Sequence, residues 1–323
     1  MRLMTLIRQP TPENILLAAR NLKDGALIGL PTETVYGLAA DAENENAVKR
    51  IYEVKGRPLD HPLIVHIGSI KYLAKWASDI PEYALTLANT FWPGPMTLIL
   101  KRSEVAKNFV TGGQESIAIR IPQNEFALSV LKNFHQLGGN GLAAPSANIF
   151  GAVSPTDAHS VEEELGIKLN KEIDFILNGG QSEVGIESTI IDCFSTSYPR
   201  ILRSGFVTQK NIEEKTGYQV IQNLSEESIR FPGGLESHYA PNAKVVIEGT
   251  PKFGDGFIAL SSIETPEGCV RLSSPLNLSE YARDLYSALR RGDKQNLKRI
   301  FVFIPDGDGI ALAIRERMTK AAR

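Results

Sequence analysis

The chain has 323 residues, 42% hydrophobic and 22% charged, enough for one large core plus a smaller one. A formal net charge of −2 excludes global attraction to nucleic acid or to an anionic membrane, so any such contact must be local. Two cysteines, Cys193 and Cys269, stand far apart and outside any metal-ligand spacing, which argues against a zinc site or disulfide framework and for reduced thiols in the cytoplasm.

From the amino terminus, charge arrives at Arg8 before a signal-peptide core could form. No later apolar run approaches the ~18 residues of a membrane span, so a soluble, unexported chain without membrane contact is expected. A helix is predicted over 12–22, apolar at Ile15, Leu16, Ala19 and Leu22, leading to a strand at 26–30. The exit of that strand turns polar at Thr32, Glu33, Thr34 and Tyr36 before Gly37. Residues 45–56 carry Val48, Ile51, Tyr52 and Val54 at helical spacing, with Gly56 where a C-terminal cap belongs. A strand at 62–67, a helix near 73–91, a Pro-Gly turn and a strand at 96–100 follow. Residues 115–122 alternate with period two, 141–148 read as a small-residue strand exit, and 186–192 and 200–205 as two further strands. Such alternation predicts an α/β or mixed-sheet fold. The polar stretch 208–241, ending "FPGGLESHYAP", reads as a linker. Beyond it, "AKVVIEG", "GFIAL", a helix at 279–292, "RIFVFI" and a last helix repeat the alternation on a smaller scale. The expected organisation is therefore 1–207, a linker or lid at 208–241, and 242–323.

Candidate chemistry lies in the first of these. Neither a Walker A motif nor Gly-x-Gly-x-x-Gly occurs. Lys55 and Arg57 flank Gly56 at a helix end, either meeting the helix dipole or facing a ligand from a solvent-reachable junction. Arg120 shares a strand face with Ser116 and Ala118, so its guanidinium either snorkels to water or faces a polar cavity where it could fork onto an anion. Ser146, Asn148, Ser154 and Thr156 lie among small residues that would let backbone N–H groups approach phosphate oxygens. His66 sits inside an apolar strand, as a core histidine or a site residue. Thr34, Lys55, Arg57, His66, Arg120, Ser146 and Asn148 all fall near strand ends or helix-strand junctions, where open α/β sheets collect ligands. A shared cavity for an anionic substrate follows.

"LPTETVYGLAAD", "KGRPLDHPLIVHI", "FWPGPMTLIL", "IAIRIP", "APSANIFGAVSPT", "GIESTIID" and "ILRSG" stand in the order of a YrdC-like domain. With "HYAP" ending the linker and a small second domain, nearly the whole chain resembles the two-domain Sua5-type threonylcarbamoyl-AMP synthases. The resemblance implies a YrdC-like twisted mixed sheet followed by a smaller Rossmann-like α/β domain. It implies an ATP-dependent enzyme joining L-threonine and bicarbonate or CO2 into threonylcarbamoyl-adenylate, a nucleotidyl transfer releasing pyrophosphate, with Mg2+ accompanying ATP. The product would pass to t6A transferase proteins acting on A37 of tRNAs reading ANN codons, with room for a weak tRNA contact. The family's Lys-x-Arg and Ser-x-Asn elements fall on Lys55, Arg57, Ser146 and Asn148, the first two as the catalytic pair. The same matching puts Arg57, His61, Ser116, Ser146, Asn148, Ser154, Arg203 and Tyr239 on the ATP side, and Thr34, His66, Arg120, Ala144 and Ser188 on the threonine side. No protein metal ligand is implied. Gly234, Leu235 and Glu236 depart from the Pro-Gly-Met-Lys-Tyr of many relatives, which bears on lid contacts. The related hydrogenase-maturation carbamoyltransferases carry zinc-finger cysteines that two cysteines cannot supply. A noncatalytic RNA-binding reading rests on 281–323, with ten Lys/Arg against five Asp/Glu.

Overall fold

The computed structural model describes residues 5–221, 229–234 and 238–323. Among them, ten strands form one sheet and four form another. The first ten are β1 (Ile7–Arg8), β2 (Ile28–Leu30), β3 (Gly37–Asp41), β4 (Ile64–His66), β5 (Met96–Lys101), β6 (Ser116–Arg120), β7 (Leu142–Ala143), β8 (Phe175–Leu177), β9 (Thr189–Asp192) and β10 (Arg200–Arg203). Their spatial order is β1-β8-β2-β3-β7-β4-β6-β5-β9-β10. Pairing is mixed: β4 runs parallel to β6 and β5 to β9, while β2–β3, β3–β7, β5–β6 and β9–β10 are antiparallel. The second sheet, β11 (Lys244–Val246), β12 (Gly256–Ile258), β13 (Val270–Ser273) and β14 (Arg299–Val302), is parallel throughout in the order β11-β14-β12-β13. A mixed sheet joined to a small parallel α/β unit is the expected class.

Local chemistry explains the helices that matter for the site. Thr11 caps Pro12–Lys23 by accepting from the Asn14 N–H, with proline in the first turn, where its missing N–H is harmless. Asn44 caps Glu45–Lys55, and Gly56 ends it in the left-handed region at φ 62°. The helix expected near 73–91 is instead broken: a short turn at Leu73–Trp76, then Glu82–Phe91, because Pro81 holds an extended conformation and restarts the chain. The stretch read as irregular linker contains a helix at Gln209–Thr216. There Thr208 and Asn211 cap each other reciprocally and Gly217 terminates the turn at φ 74°. Only Ile212 of that helix is buried, so its apolar stripe is too thin to stand out in the sequence. Strands β1, β8 and β13, at two to four residues each, and the helices Glu125–Gln136 and Ala158–Leu165 are likewise absent from the sequence reading.

The two units share a core. Val35, Val153, Val184 and Ile186 from the first sheet's side pack with Tyr239 and with Tyr281, Leu285, Tyr286 and Ile314 of the C-terminal helices Leu278–Lys294 and Ile310–Ala321. Contact is close at Gly185, where a Cβ would lie 2.3 Å from the Arg283 Cα. The basic surplus of 281–323 is largely spent internally: Arg290 pairs with Glu164, Lys294 with Glu163, Arg299 with Asp255 and Arg317 with Glu187. Among the described residues, no helix is long and apolar enough to cross a membrane.

Candidate active site

The cavity begins with the tight β2–β3 pair. Its connection, Thr32 to Tyr36, is buried throughout, so its hydroxyls must bond inside the protein. Thr32 Oγ1 donates to the Val35 carbonyl at 2.6 Å and lies 2.9 Å from Thr34 Oγ1. Thr34 Oγ1 in turn accepts from Arg120 Nη1 at 2.7 Å. Parallel pairing sets His66 of β4 directly beside Arg120 of β6, so both side chains reach the same strand ends. Arg120 Nε donates to the Gly94 carbonyl at 3.2 Å, and Nη2 lies 2.5 Å from Glu33 Oε1. Two of its five N–H groups are thereby hydrogen-bonded, while Nη2 meets Glu33 through charge without a hydrogen bond, leaving donors for a ligand carboxylate. Burial and the Arg120 charge push the His66 imidazole down to about 3, so that ring is neutral at physiological pH.

A second wall comes from β9 and β10. Arg203 Nε and Nη2 donate to the carbonyl and hydroxyl of Ser188 at 3.0 and 3.1 Å, and Nη1 donates to the Pro232 carbonyl at 2.8 Å. Ser188 Oγ also shares a 2.7 Å hydrogen bond with Thr97 Oγ1. Burial lowers the Arg203 pKa from its usual value. The roof is the segment before the C-terminal unit: Pro232, Gly233, His238 and Tyr239 line the cavity. Tyr239 holds a left-handed backbone at φ 65°, a conformation costly for a non-glycine residue and found mostly where surrounding contacts impose it. Gly233, at φ 85°, leaves no room for a Cβ, which would meet the Tyr239 hydroxyl at 2.5 Å. Leu235 and Glu236, two of the three departures from the family linker, lie outside the described residues.

Of the sequence-predicted residues, Thr34, Arg57, His66, Arg120, Ala144, Ser146, Ser188, Arg203 and Tyr239 line one cavity of about 50 Å³. Lys55, His61, Ser116, Asn148 and Ser154 do not line it. Lys55 overturns the expectation of a solvent-reachable junction, being 1% exposed. Its ammonium ignores its own helix end and donates to the Ser146 and Asn148 carbonyls at 2.6 and 2.5 Å, pinning that loop to the helix. Arg57 is also buried; Nη2 donates to the Pro62 carbonyl at 2.9 Å, the guanidinium lies over the Phe150 ring, and burial lowers its pKa to about 10. His61 meets the edge of the same ring. Ser116 stands four residues from Arg120, at the opposite end of β6, roughly 13 Å along the strand. Asn148 Nδ2 donates to the Ile149 and Ala152 carbonyls, and the Ser154 hydroxyl to Glu187.

Sequence reasoning missed Glu187 as a cavity residue and Glu33 as the partner of Arg120, while Thr32 of the polar strand exit and His238 of the linker also line the cavity. A carboxylate beside Ser188 at the mouth of an apolar strand was the available signal for Glu187. Three arginines facing inward, with Glu187 the only acidic side chain among the described residues lining the wall, suit the cavity to small anionic ligands. The fold and site thus define a mixed-sheet α/β protein with a cationic ligand cavity roofed by the connection to a second α/β unit.

The comparisons narrow that class. A Sua5–YciO–YrdC family model, described as "Telomere recombination", matches residues 20–205, and one described as "Threonylcarbamoyl-AMP synthase, C-terminal domain" matches residues 207–323. The chain belongs to the Sua5/YrdC family, in its two-domain form. It is 39% identical to the threonylcarbamoyl-AMP synthase of Pyrococcus abyssi, covering 95% of this chain and 94% of that protein. Identity to the enzyme of that name from Bacillus subtilis is 37%, covering 94% and 92%. The crystal structure of P. abyssi Sua5 complexed with L-threonine superposes with a TM-score of 0.85 at 36% identity, over 98% of this chain and 96% of that one.

Proposed function

We propose that this protein is a threonylcarbamoyl-AMP synthase, joining L-threonine, bicarbonate or CO2 and ATP into threonylcarbamoyl-adenylate with release of pyrophosphate. Its product would serve N6-threonylcarbamoylation of A37 in tRNAs reading ANN codons. The observation that carries this reading is the convergence of Arg57, Arg120 and Arg203 on one buried cavity with Thr34, His66 and Ser188. The chemistry has a charge problem more than a base problem. Threonine's amine, once deprotonated, adds to CO2, and the carbamate oxygen then attacks the α-phosphate in line with departing pyrophosphate. Fixed cations aimed at that phosphate stabilise charge as it develops. Arg57 is the nearer candidate for this role, with Lys55 shaping the loop that carries Ser146 and Asn148. Arg120 would hold the threonine carboxylate beside Thr34, His66, Ala144 and Ser188, while Ser146, Arg203 and Tyr239 face the nucleotide. His61, Ser116, Asn148 and Ser154, outside the cavity lining, would then support the nucleotide side only at its margin or through neighbours. Mg2+ would enter with the phosphates of ATP.

A cavity of about 50 Å³ is too small for a nucleotide and an amino acid together, since small-molecule sites run to roughly 300 Å³ or more. Pro232, Gly233, His238 and Tyr239 would lift to load substrates, and 208–241 is read as a lid between a catalytic unit ending near 207 and the C-terminal unit. Pyrophosphate release should require ATP, threonine and bicarbonate together. Release unaffected by omitting threonine would reject the reading. Valine should be refused strongly because it leaves buried polar groups unpaired, and serine, which lacks only a methyl, should be the better impostor.

A further inference from the structure

Glu187 raises a question that the reaction chemistry does not answer. A carboxylate in the wall of a cavity meant for a triphosphate should repel it. Its charge, however, is met from behind by the C-terminal unit. Arg317, 1% exposed on the helix Ile310–Ala321, places Nε 3.1 Å from Glu187 Oε2 and donates through Nη2 to the Glu187 carbonyl at 3.2 Å. Tyr286, fully buried on the helix Leu278–Lys294, donates its hydroxyl to the same Oε2 at 2.8 Å. Its other oxygen, Oε1, accepts from Ser154 Oγ at 2.6 Å, a fully buried hydroxyl behind the cavity lining. Burial alone would raise the Glu187 pKa, but Arg317, Arg203 and Ser154 outweigh it and hold the carboxyl below its usual range, so the group is charged.

The same two residues back the roof. Tyr286 stacks on Tyr239 with ring centroids 5.7 Å apart and planes at 22°, and the Arg317 guanidinium lies 5.9 Å from the Tyr239 ring. Lys320, one turn further along, donates to the Gly233 carbonyl, and its own carbonyl accepts from the His238 N–H at 3.3 Å. Arg317 further donates to the Ser204 carbonyl at 2.6 Å, beside Arg203.

We propose that Arg317 and Tyr286 are positioning residues for the nucleotide, acting across the unit boundary through Glu187 and Tyr239. Arg317 supplies the counter-charge that lets Glu187 order Ser154 without repelling phosphate, and Tyr286 fixes the plane of the Tyr239 ring. The C-terminal unit is thereby part of the nucleotide site although neither residue lines the cavity. This rests on the nucleotide reading above.

The test uses the full chain, with ATP binding followed by calorimetry and turnover by pyrophosphate release. Arg317→Met keeps the apolar stem and removes the charge; Glu187→Gln with Arg317→Met removes both charges. Arg317→Met should raise the KM and Kd for ATP at least about tenfold while the KM for threonine stays within about twofold, and the double variant should recover most of the ATP affinity. Tyr286→Phe, which loses only a hydroxyl, should raise the ATP KM a few-fold. A folded Arg317→Met protein with wild-type ATP affinity would overturn the proposal, as would parallel loss for both substrates without recovery in the double variant. Should Arg317→Met not fold, Tyr286→Phe decides, and unchanged ATP affinity there overturns it. Wild-type protein that binds ATP but releases no pyrophosphate would defeat the synthase reading alone; wild-type protein that binds no ATP would defeat both.

Discussion

Lys55 shows a charge used as a fastener. Burial, and then Arg57, push its pKa well below the usual lysine value, yet two carbonyls from the loop after β7 hold the ammonium. Lys55→Ala would strip both carbonyls of their donor, and buried acceptors left unpaired cost roughly 1–3 kcal/mol each. The variant should therefore lose adenylate formation and melt at lower temperature, whereas Arg57→Ala should lower turnover at least about tenfold, or ~1.4 kcal/mol, with a smaller loss of stability. Equal melting temperatures for wild type and Lys55→Ala, measured by calorimetry, would contradict the fastening role. The histidines set a pH limit. His66 is held down to about 3 by burial and Arg120, and His238 to about 3 by burial with Lys55, Arg57 and Arg203 opposing Glu187. The unfolded chain takes up protons on these rings near pH 6.5 that the folded chain refuses until about pH 3. Stability present above about pH 6.5 should thus fall as the pH drops towards 3, and His66→Asn should flatten part of that fall in denaturant midpoints. An unchanged slope in the variant would mean that the His66 imidazole charges in the folded state.

At the scale of elements, the junction between units depends on one close approach. Gly185 adopts φ 76°, and a Cβ there would meet the Arg283 Cα at 2.3 Å and its carbonyl oxygen at 2.5 Å. Neither neighbour is a movable side-chain tip. Gly185→Ala should push the helix Leu278–Lys294 away from the first sheet and destabilise the protein by about 1–3 kcal/mol, with weaker ATP binding as Tyr286 withdraws from Tyr239. Thermal unfolding and ATP titration of the same variant check both parts. A stable variant with normal ATP affinity would show that the helix can shift freely.

For the whole molecule, the arrangement implies closure. His238 and Tyr239 are buried against Phe150 and Tyr286, so the roof in this state is packed on both units and not a free tether. Replacing residues 231–241 by an equally long Gly/Ser run should sharply reduce threonine-dependent pyrophosphate release and expose the adenylate to hydrolysis, because closure excludes water. Hydrogen exchange should show the native segment gaining protection when ATP and threonine are added. Unchanged kinetics in the Gly/Ser chain, with no added protection, would reduce the segment to a tether.

The sequence by itself determined the alternation of elements, the order of the motifs that mark the family, and the polar residues gathered at strand exits. These are local: Gly56 at a helix end or Thr34 after an apolar strand acts within a few positions of itself. Tertiary structure decided what each charge does. Whether Lys55 meets a helix dipole or two carbonyls, and whether Arg120 reaches water or Glu33, depends on which chain segments the sheet order brings together, some 90 residues away in each case. Short elements such as β8 and the helix Gln209–Thr216 escaped the sequence for the same reason, since two to eight residues carry too few apolar positions to declare a period before packing supplies the rest. The link from Arg317 through Glu187 to the cavity is the extreme case: it spans 130 positions and two units, and only burial, which makes an unpaired charge prohibitive, forces the partners together.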